Sequence, residues 1–510
     1  MKKLFLLIMA LIGAALSHAQ NDGDNFFDTT AIHEIHLNFD DPNYWDTLVS
    51  WKGHANLTGD NVYISAEAIV DGVVYDSIGV RLKGNSSYDG YPGFKKPFKL
   101  KFNEYISGQK IDGLKKLTLN NGFNDPTMLR EKILLDYERK HNIAAPRATF
   151  AKVYLNGSYW GLYSVIEQID KIFLGDYFPE NDGNLFKGDP MGRFNWEGPA
   201  ESAYHDNLEL KTNETANDWS DVVHFIDIVN NSTAADFKDS LNAVFNTTEF
   251  LRNNAVNTLF VSLDTYTGMG HNFYIYHNLQ SDQFEWITWD ANSCFGVFNN
   301  GMTIAQLKDL PLLYIRPPVA NLPLINNIYA DNDLKNEYLT HAANFLGTDF
   351  DTTNFYAQID SLADRIRADV YVDTQKMFTN NEFEENLEYT VVTNGTKQIP
   401  ALKDFLADRI EAVTLELESF GIYIGIEDVT AEDQIAVYPN PIQNNVTVQL
   451  GELRVQEVEV FNLYGQSVFY KQLPRKQTSI ALNMEEFSNG YFLIKLNTTN
   501  GVFTKKVVKL

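Results

Sequence analysis

The chain of 510 residues holds one cysteine, Cys294, so no disulfide can form within it and its stability has to come from burial. Cys294, next to Phe295, reads as a small core residue rather than a nucleophile. Long apolar runs are as scarce: beyond Leu4–Leu16 nothing approaches the roughly 20 apolar residues a membrane helix needs. No transmembrane anchor is expected. Positive charge is short too, with 41 Lys and Arg against 67 Asp and Glu for a net charge of −26. Such an excess of carboxylates repels phosphate backbones and anionic lipid, which argues against nucleic acid as a partner and suits divalent cations or basic proteins. There is no internal repeat and no regular G-x-G-x-x-G loop.

What is present is enough apolar material for a packed core: 44% hydrophobic residues, with 26 Tyr and 34 Phe. At the start, Lys2 and Lys3 precede the apolar run, and Ser17-His18-Ala19 places small residues where a signal peptidase reads. Residues 1–19 are therefore expected to be a secretory signal peptide. At the other end, VYPNPIQNNVTVQL, VQEVEVFNLYGQSVFYKQL and GYFLIKLNTTNGVFTKKVVKL alternate with period two between Asn, Gly and Pro turns. That pattern predicts a small β-sandwich over 437–510. Its charge differs from that of the rest, eight Lys and Arg against five Asp and Glu, where residues 21–436 carry 31 against 62. A domain of residues 28–425, a linker at 426–436 and a tail at 437–510 follow.

Within the body, IHEIHLNF, NVYISAEAIV and GVVYDSIGVRLKG read as antiparallel strands around a helix at Asp41–Trp51. A Gly-rich gap, KGNSSYDGYPGFKK, then separates IGVRLKG from the lysine-bearing strand PFKLKF. A loop of this kind can lay backbone N–H groups over phosphates. Asp125-Pro126 opens a helix containing Glu131, and TFAKVYLNG and YWGLYSVIEQID form a hairpin about Asn156-Gly157. Residues 176–215 read as irregular loop, and the remainder is mostly helical. The expected fold class is α+β, an N-lobe with the element order of a kinase N-lobe and a largely helical C-lobe, which the family resemblance given below makes a diverged protein-kinase-like two-lobed domain, followed by the small C-terminal β-sandwich.

Residues 263–296 hold Asp264, Asn272 and Asp290 around a strand hairpin, FYIYH and FEWITW. A phosphoryl-transfer site uses this order: one Asp orients the attacking hydroxyl, an Asn holds metal, and an Asp after the next hairpin binds the metal bridging the phosphates. Eight residues from Asp264 to Asn272 exceed the protein-kinase loop, and Leu263 stands where an Arg is usual.

The stretches RLKGNSS, KKPFKLKF, LREKI, VYLNGSYWGLYSVIEQID, GNLFKGD, HNFYIY and WDANSCFG fall in order between residues 81 and 296. Together they resemble the CotH family, the spore-coat-protein-H-like atypical kinases. YPNP, NGYFLIKL and TKKVVKL likewise resemble the C-terminal sorting domain of the type IX secretion system of Bacteroidota. The first resemblance implies Ser/Thr phosphorylation of exported proteins with ATP and Mg²⁺ or Mn²⁺, Ca²⁺ being a further candidate. It makes Asp264 the catalytic Asp, Asn272 and Asp290 metal ligands, and Lys99 the phosphate-contacting partner of Glu131, with Lys101 next in line. Arg81, Lys83 and Ser86 border the Gly loop as further nucleotide contacts, and Glu167 and Gln168 occupy a hinge-like position. Asn292 stands where relatives often carry a second Asp, which weakens a second metal site. The second resemblance implies the type IX secretion machinery and an exported or surface protein acceptor as partners, and a secreted or outer-surface location reached through the periplasm. ATP is scarce outside a cell, so the alternative is a non-catalytic surface binding or adhesion protein that keeps the fold.

Overall fold

Alternation of apolar and polar side chains along successive strands is what closes the first half of the body into a barrel. Strands β1 (His33–Asn38), β2 (Ile64–Val70), β3 (Val73–Leu82), β4 (Phe98–Lys101), β5 (Lys116–Asn120), β6 (Ala148–Leu155) and β7 (Ser158–Glu167) close in the order β1-β2-β3-β4-β5-β7-β6. Neighbours are antiparallel except β1 and β6, whose parallel pairing seals the barrel. Register brings Val80, Leu100 and Leu117 abreast, as well as Leu82, Phe98 and Leu119, and these face a core shared with Ile35, Leu37, Ala68, Val153 and Val165. The intervening residues, Arg81, Lys99 and Thr118, are forced to the outer face.

The coordinates are a computed structural model that describes residues 21–27, 30–393, 395–424, 435–450, 455–462, 465–473, 479–498 and 501–510. The signal peptide expected at 1–19 and residues 426–434 of the expected linker lie outside the described residues. The chain divides into two units, Met1–Ile422 and Tyr423–Leu510.

Helix α1 (Tyr44–Thr58) begins three residues after the expected Asp41, because the Asp41 carboxylate accepts from Asn43 N and Thr47 Oγ1 in a turn ahead of it. Helix α2 (Arg130–Lys140) also starts late. Asp125 caps a turn by accepting from Thr127 N and Arg130 N, and Met128 sits left-handed at φ 59. The Arg130 side chain, fully buried, returns to Asp125 and reaches Asn386 Oδ1. The expected hairpin about Asn156-Gly157 is β6–β7.

The stretch 176–215, expected as irregular loop, contains β8 (Leu185–Gly188) and β9 (Leu208–Leu210). Segments of four and three residues are too short to display alternation. They complete a sheet with β10 (Phe273–Asn278) and β11 (Gln283–Thr288) in the order β11-β10-β8-β9. Around this sheet and beyond it lie α3 (Ser220–Asn231), α4 (Thr247–Leu259), α5 (Asn332–Thr348), α6 (Thr352–Val372) and α7 (Lys403–Ser419). The body is thus a mixed α+β unit.

The C-terminal unit has two sheets. One joins Ala436–Tyr438, Asn445–Gln449 and Ser479–Asn483; the other joins Ser467–Gln472, Val455–Asn462, Gly490–Thr498 and Gly501–Lys509. Val446, Val448, Ile480 and Leu482 of the first and Val458, Val460, Ile494 and Leu496 of the second share one apolar cluster.

Candidate active site

The outer barrel face carries cations because period two leaves Arg81, Lys83, Lys99 and Lys101 no other side. Lys99, 8% exposed, donates to Thr118 Oγ1 at 2.8 Å, and burial with Lys83 and Arg81 nearby pushes its pKa well below the ordinary lysine value. The expected pairing of Lys99 with Glu131 is not formed. Lys83 is the lysine that reaches Glu131: its Nζ donates to Asn120 Oδ1 at 2.9 Å, and Asn120 Nδ2 donates to Glu131 Oε2 at 2.8 Å. The reason is position along the strand. Lys99 lies mid-sheet opposite Thr118, whereas Lys83 stands past the end of β3, level with Asn120 at the end of β5. Lys101 is engaged by Glu104 at 2.5 Å, Arg81 donates to Leu82 O at 3.1 Å, and Ser86 is exposed at the head of a four-residue helix. Glu167, 2% exposed, binds the Arg147 backbone and guanidinium, which makes it a structural pair rather than a hinge acceptor. Gln168 donates to Ile169 O at 3.0 Å.

Asp264 follows α4, and Asn272 and Asp290 bracket the β10–β11 hairpin. Asn272 and Asp290 adopt left-handed φ of 59° and 56°, conformations that Asn and Asp tolerate better than other side chains. The loop between Asp264 and Asn272 is tight: a Cβ on Gly268 would strike the Leu263 carbonyl oxygen. Asn272 Nδ2 donates to Asp264 O at 2.8 Å, and Trp289 N to Asn272 O at 3.3 Å, so the segments of all three residues are joined. Asn292 donates to Asp290 Oδ1 at 2.6 Å while its own oxygen accepts from Ser293 Oγ at 2.9 Å. Its amide orients Asp290 and its oxygen is already in use. Asp290 Oδ2 and Asn272 Oδ1 are not engaged by these bonds and are open to ligate a cation. Among the described residues no group of three or more His, Cys, Asp or Glu side chains is arranged to hold a metal ion.

Electrostatics ties the group together. Burial, then repulsion from Asp290, pushes the Glu131 carboxyl up to about 8, against the Asn120 hydrogen bond and Lys83. Burial also raises Asp290, opposed by Lys83 and reinforced by Asp264. Lys83 is lowered by burial, with Asp290 and Glu131 pulling the other way. Lys83, Glu131, Asp264, Asn272 and Asp290 are therefore brought together; Lys99 borders them through the charge of Lys83 but bonds to Thr118, and Lys101 and Ser86 stand apart.

Two participants escaped the sequence reading. His271 Nε2 lies 2.7 Å from Asp264 Oδ1, and this bond raises the imidazole pKa despite burial. Lys187 on β8 pairs with Asp189 and acts on both Lys83 and Asp290. Each adjoins a motif already singled out, HNFYIY and GNLFKGD, but neither carries a spacing that distinguishes it from a solvated strand residue.

Residues 80–413 match the family described as CotH kinase protein, and residues 436–510 match the one described as Secretion system C-terminal sorting domain. The first match spans more than half of the chain, and the chain belongs to the CotH family. Its C-terminal unit is a type IX sorting domain. Similar proteins include the inner spore coat protein H of Bacillus subtilis (strain 168), 25% identical over 267 residues that cover 52% of this chain and 71% of that protein. Ulvan lyase NLR42 of Nonlabens ulvanivorans is 28% identical over 93 residues, 18% of this chain and 17% of the lyase. Among solved structures, the twitchin kinase region from C. elegans aligns over 81% of this chain and 70% of its own at 9% identity, with a TM-score of 0.18 that carries no argument about fold.

Proposed function

We propose that the body is a secreted kinase-like phosphotransferase that transfers the terminal phosphoryl group of ATP to a Ser or Thr hydroxyl of an exported or surface protein. The observation that carries this reading is the convergence of Lys83, Glu131, Asp264, Asn272 and Asp290, drawn from barrel, helix and two loops, into one electrostatic network. Asp264 is partly exposed, and His271 occupies its Oδ1, so Oδ2 is the atom to align the acceptor hydroxyl and take its proton as the new O–P bond forms and ADP leaves. Asp290 Oδ2 and Asn272 Oδ1 would hold Mg²⁺ or Mn²⁺; one carboxylate, one amide and the phosphates suffice for an ion that keeps several waters. That ion supplies charge neutralisation on the phosphates when bound. Lys83 takes the phosphate-contacting part first assigned to Lys99, with Arg81 beside it. The sorting domain supports export through the type IX secretion machinery, and no helix among the described residues is long and apolar enough to cross a membrane.

The test is thermal. ATP with Mg²⁺ or Mn²⁺ should raise the melting temperature of the wild type. Asp290→Ala should abolish the shift while leaving the fold intact by circular dichroism. No shift and no radiolabel transfer by the wild type would overturn the reading and favour a surface binding protein.

A further inference from the structure

Helix α2 bears a second buried carboxyl, Glu138, that the proposed chemistry does not use. Seven residues separate it from Glu131, about 10.5 Å along the axis and only about 20° around it, so both project from one face. Glu138 is 0% exposed. Its Oε1 accepts three hydrogen bonds, from Asn253 Nδ2 at 3.0 Å and Asn257 Nδ2 at 3.0 Å on α4, and from Thr288 Oγ1 at 2.8 Å at the end of β11. Helix α4 runs into Asp264, and Thr288 is two residues before Asp290. One oxygen atom therefore joins α2 to the roots of both segments that carry the proposed site.

The other oxygen has no partner. Glu138 Oε2 is buried and unbonded, and so is Asn257 Oδ1 in the same cluster. Both are acceptors, and a buried acceptor left unsatisfied is destabilising. A proton on Oε2 would turn that oxygen into a donor, and Asn257 Oδ1, on the amide whose Nδ2 already donates to Oε1, is the unsatisfied acceptor of the same cluster. Burial independently pushes the Glu138 carboxyl up to about 8, only partly offset by Thr288 and Asn257.

We infer that Glu138 is a positioning residue, a neutral carboxylic acid that fixes the Asp264 and Asp290 segments against α2 through Asn253, Asn257 and Thr288. Its importance for catalysis rests on the proposed function; its protonation and its hold on the two segments do not.

Two near-isosteric variants separate the possibilities. Glu138→Gln keeps an acceptor for the three donors and an N–H for Asn257, and thus mimics the neutral acid. Glu138→Met fills the space and removes every hydrogen bond. Hydrogen exchange by mass spectrometry should show amides of residues 262–272 and 288–292 exchanging about tenfold faster in Glu138→Met and at wild-type rates in Glu138→Gln. Equal exchange in wild type and Glu138→Met would overturn the positioning role. Carboxyl ¹³C spectra of glutamate-labelled protein at pH 7 should contain a protonated signal that Glu138→Gln deletes. If the deleted signal is that of a carboxylate, or if Glu138→Gln loosens both segments as Glu138→Met does, the neutral acid is wrong. Calorimetry with Mg²⁺ and ATP on the wild type is read separately: absence of binding there sinks the kinase-like reading and leaves the exchange and carbon results to decide this one.

Discussion

At the scale of single residues, the two lysines divide the work the sequence assigned to one. Lys99 is spent on Thr118 within the barrel wall, and Lys83 faces Glu131 and Asp290. Lys83→Met should therefore weaken nucleotide binding by roughly tenfold or more, the scale of one charge-assisted contact. Lys99→Met, which replaces a buried amine by an apolar side chain of similar length, should leave affinity within about twofold. Calorimetric titration with Mg²⁺ and ATP compares them, and equal losses would return Lys99 to the site. Asp264→Asn keeps size and hydrogen bonding but not the carboxylate, so it should retain nucleotide affinity while transfer falls by on the order of a hundredfold or more. A radiolabel assay with a generic basic acceptor, read beside autophosphorylation, checks that split; unchanged transfer would remove Asp264 from the chemistry. That the segments of Asp264, Asn272 and Asp290 meet was legible in the sequence, because all three flank one hairpin. The lysine was not, since alternation fixes which face a side chain takes but not how far along the barrel its partner lies.

At the scale of elements, α2 ties stability to pH through two buried carboxyls. It presents Glu131 and Glu138, both pushed up to about 8 from a usual 4.5. In the unfolded chain both ionise near 4.5; in the folded chain both keep their protons toward 8. The folded state thus binds more protons through that window, so its stability is fullest below about 4.5 and falls as pH rises toward 8, by up to about 1.4 kcal/mol per pH unit for each group. Urea unfolding of metal-free protein at several pH values in that range should show this decline, and Glu138→Gln should reduce its slope by about half, leaving the share of Glu131. A wild-type stability that climbs from pH 5 to 8 with no change of slope in the variant would refute both assignments. Strands of ordinary length and their hairpin were readable in advance, as were the long helices. The late starts of α1 and α2 were not, because Asp41 and Asp125 build turns with the side chains that would otherwise cap helices. β8 and β9 were missed because strands of four and three residues owe their place to distant partners, β8 to β10 far along the chain and β9 to β8.

At the scale of the whole chain, charge and alternation place a body at 28–425 and a tail at 437–510, and the structure divides into Met1–Ile422 and Tyr423–Leu510. Each unit has its own apolar cluster, with Val446, Val458, Ile480 and Ile494 in the second and Ile35, Val80, Leu100 and Val165 in the first. Neither cluster draws on the other's strands, so each has the means to fold alone. Removal of residues 437–510 should leave the body with a cooperative melt close to that of the full chain. A sorting domain acts as an address rather than as part of the core, so the truncated protein should remain in the periplasm instead of reaching the surface or medium. Fractionation of cells expressing both forms, with the melting curve of the truncated form measured alongside, separates the two roles. A truncated body that melts as expected yet appears in the medium as before would strip the tail of its sorting role. A body that no longer folds would show instead that the two units depend on each other for stability.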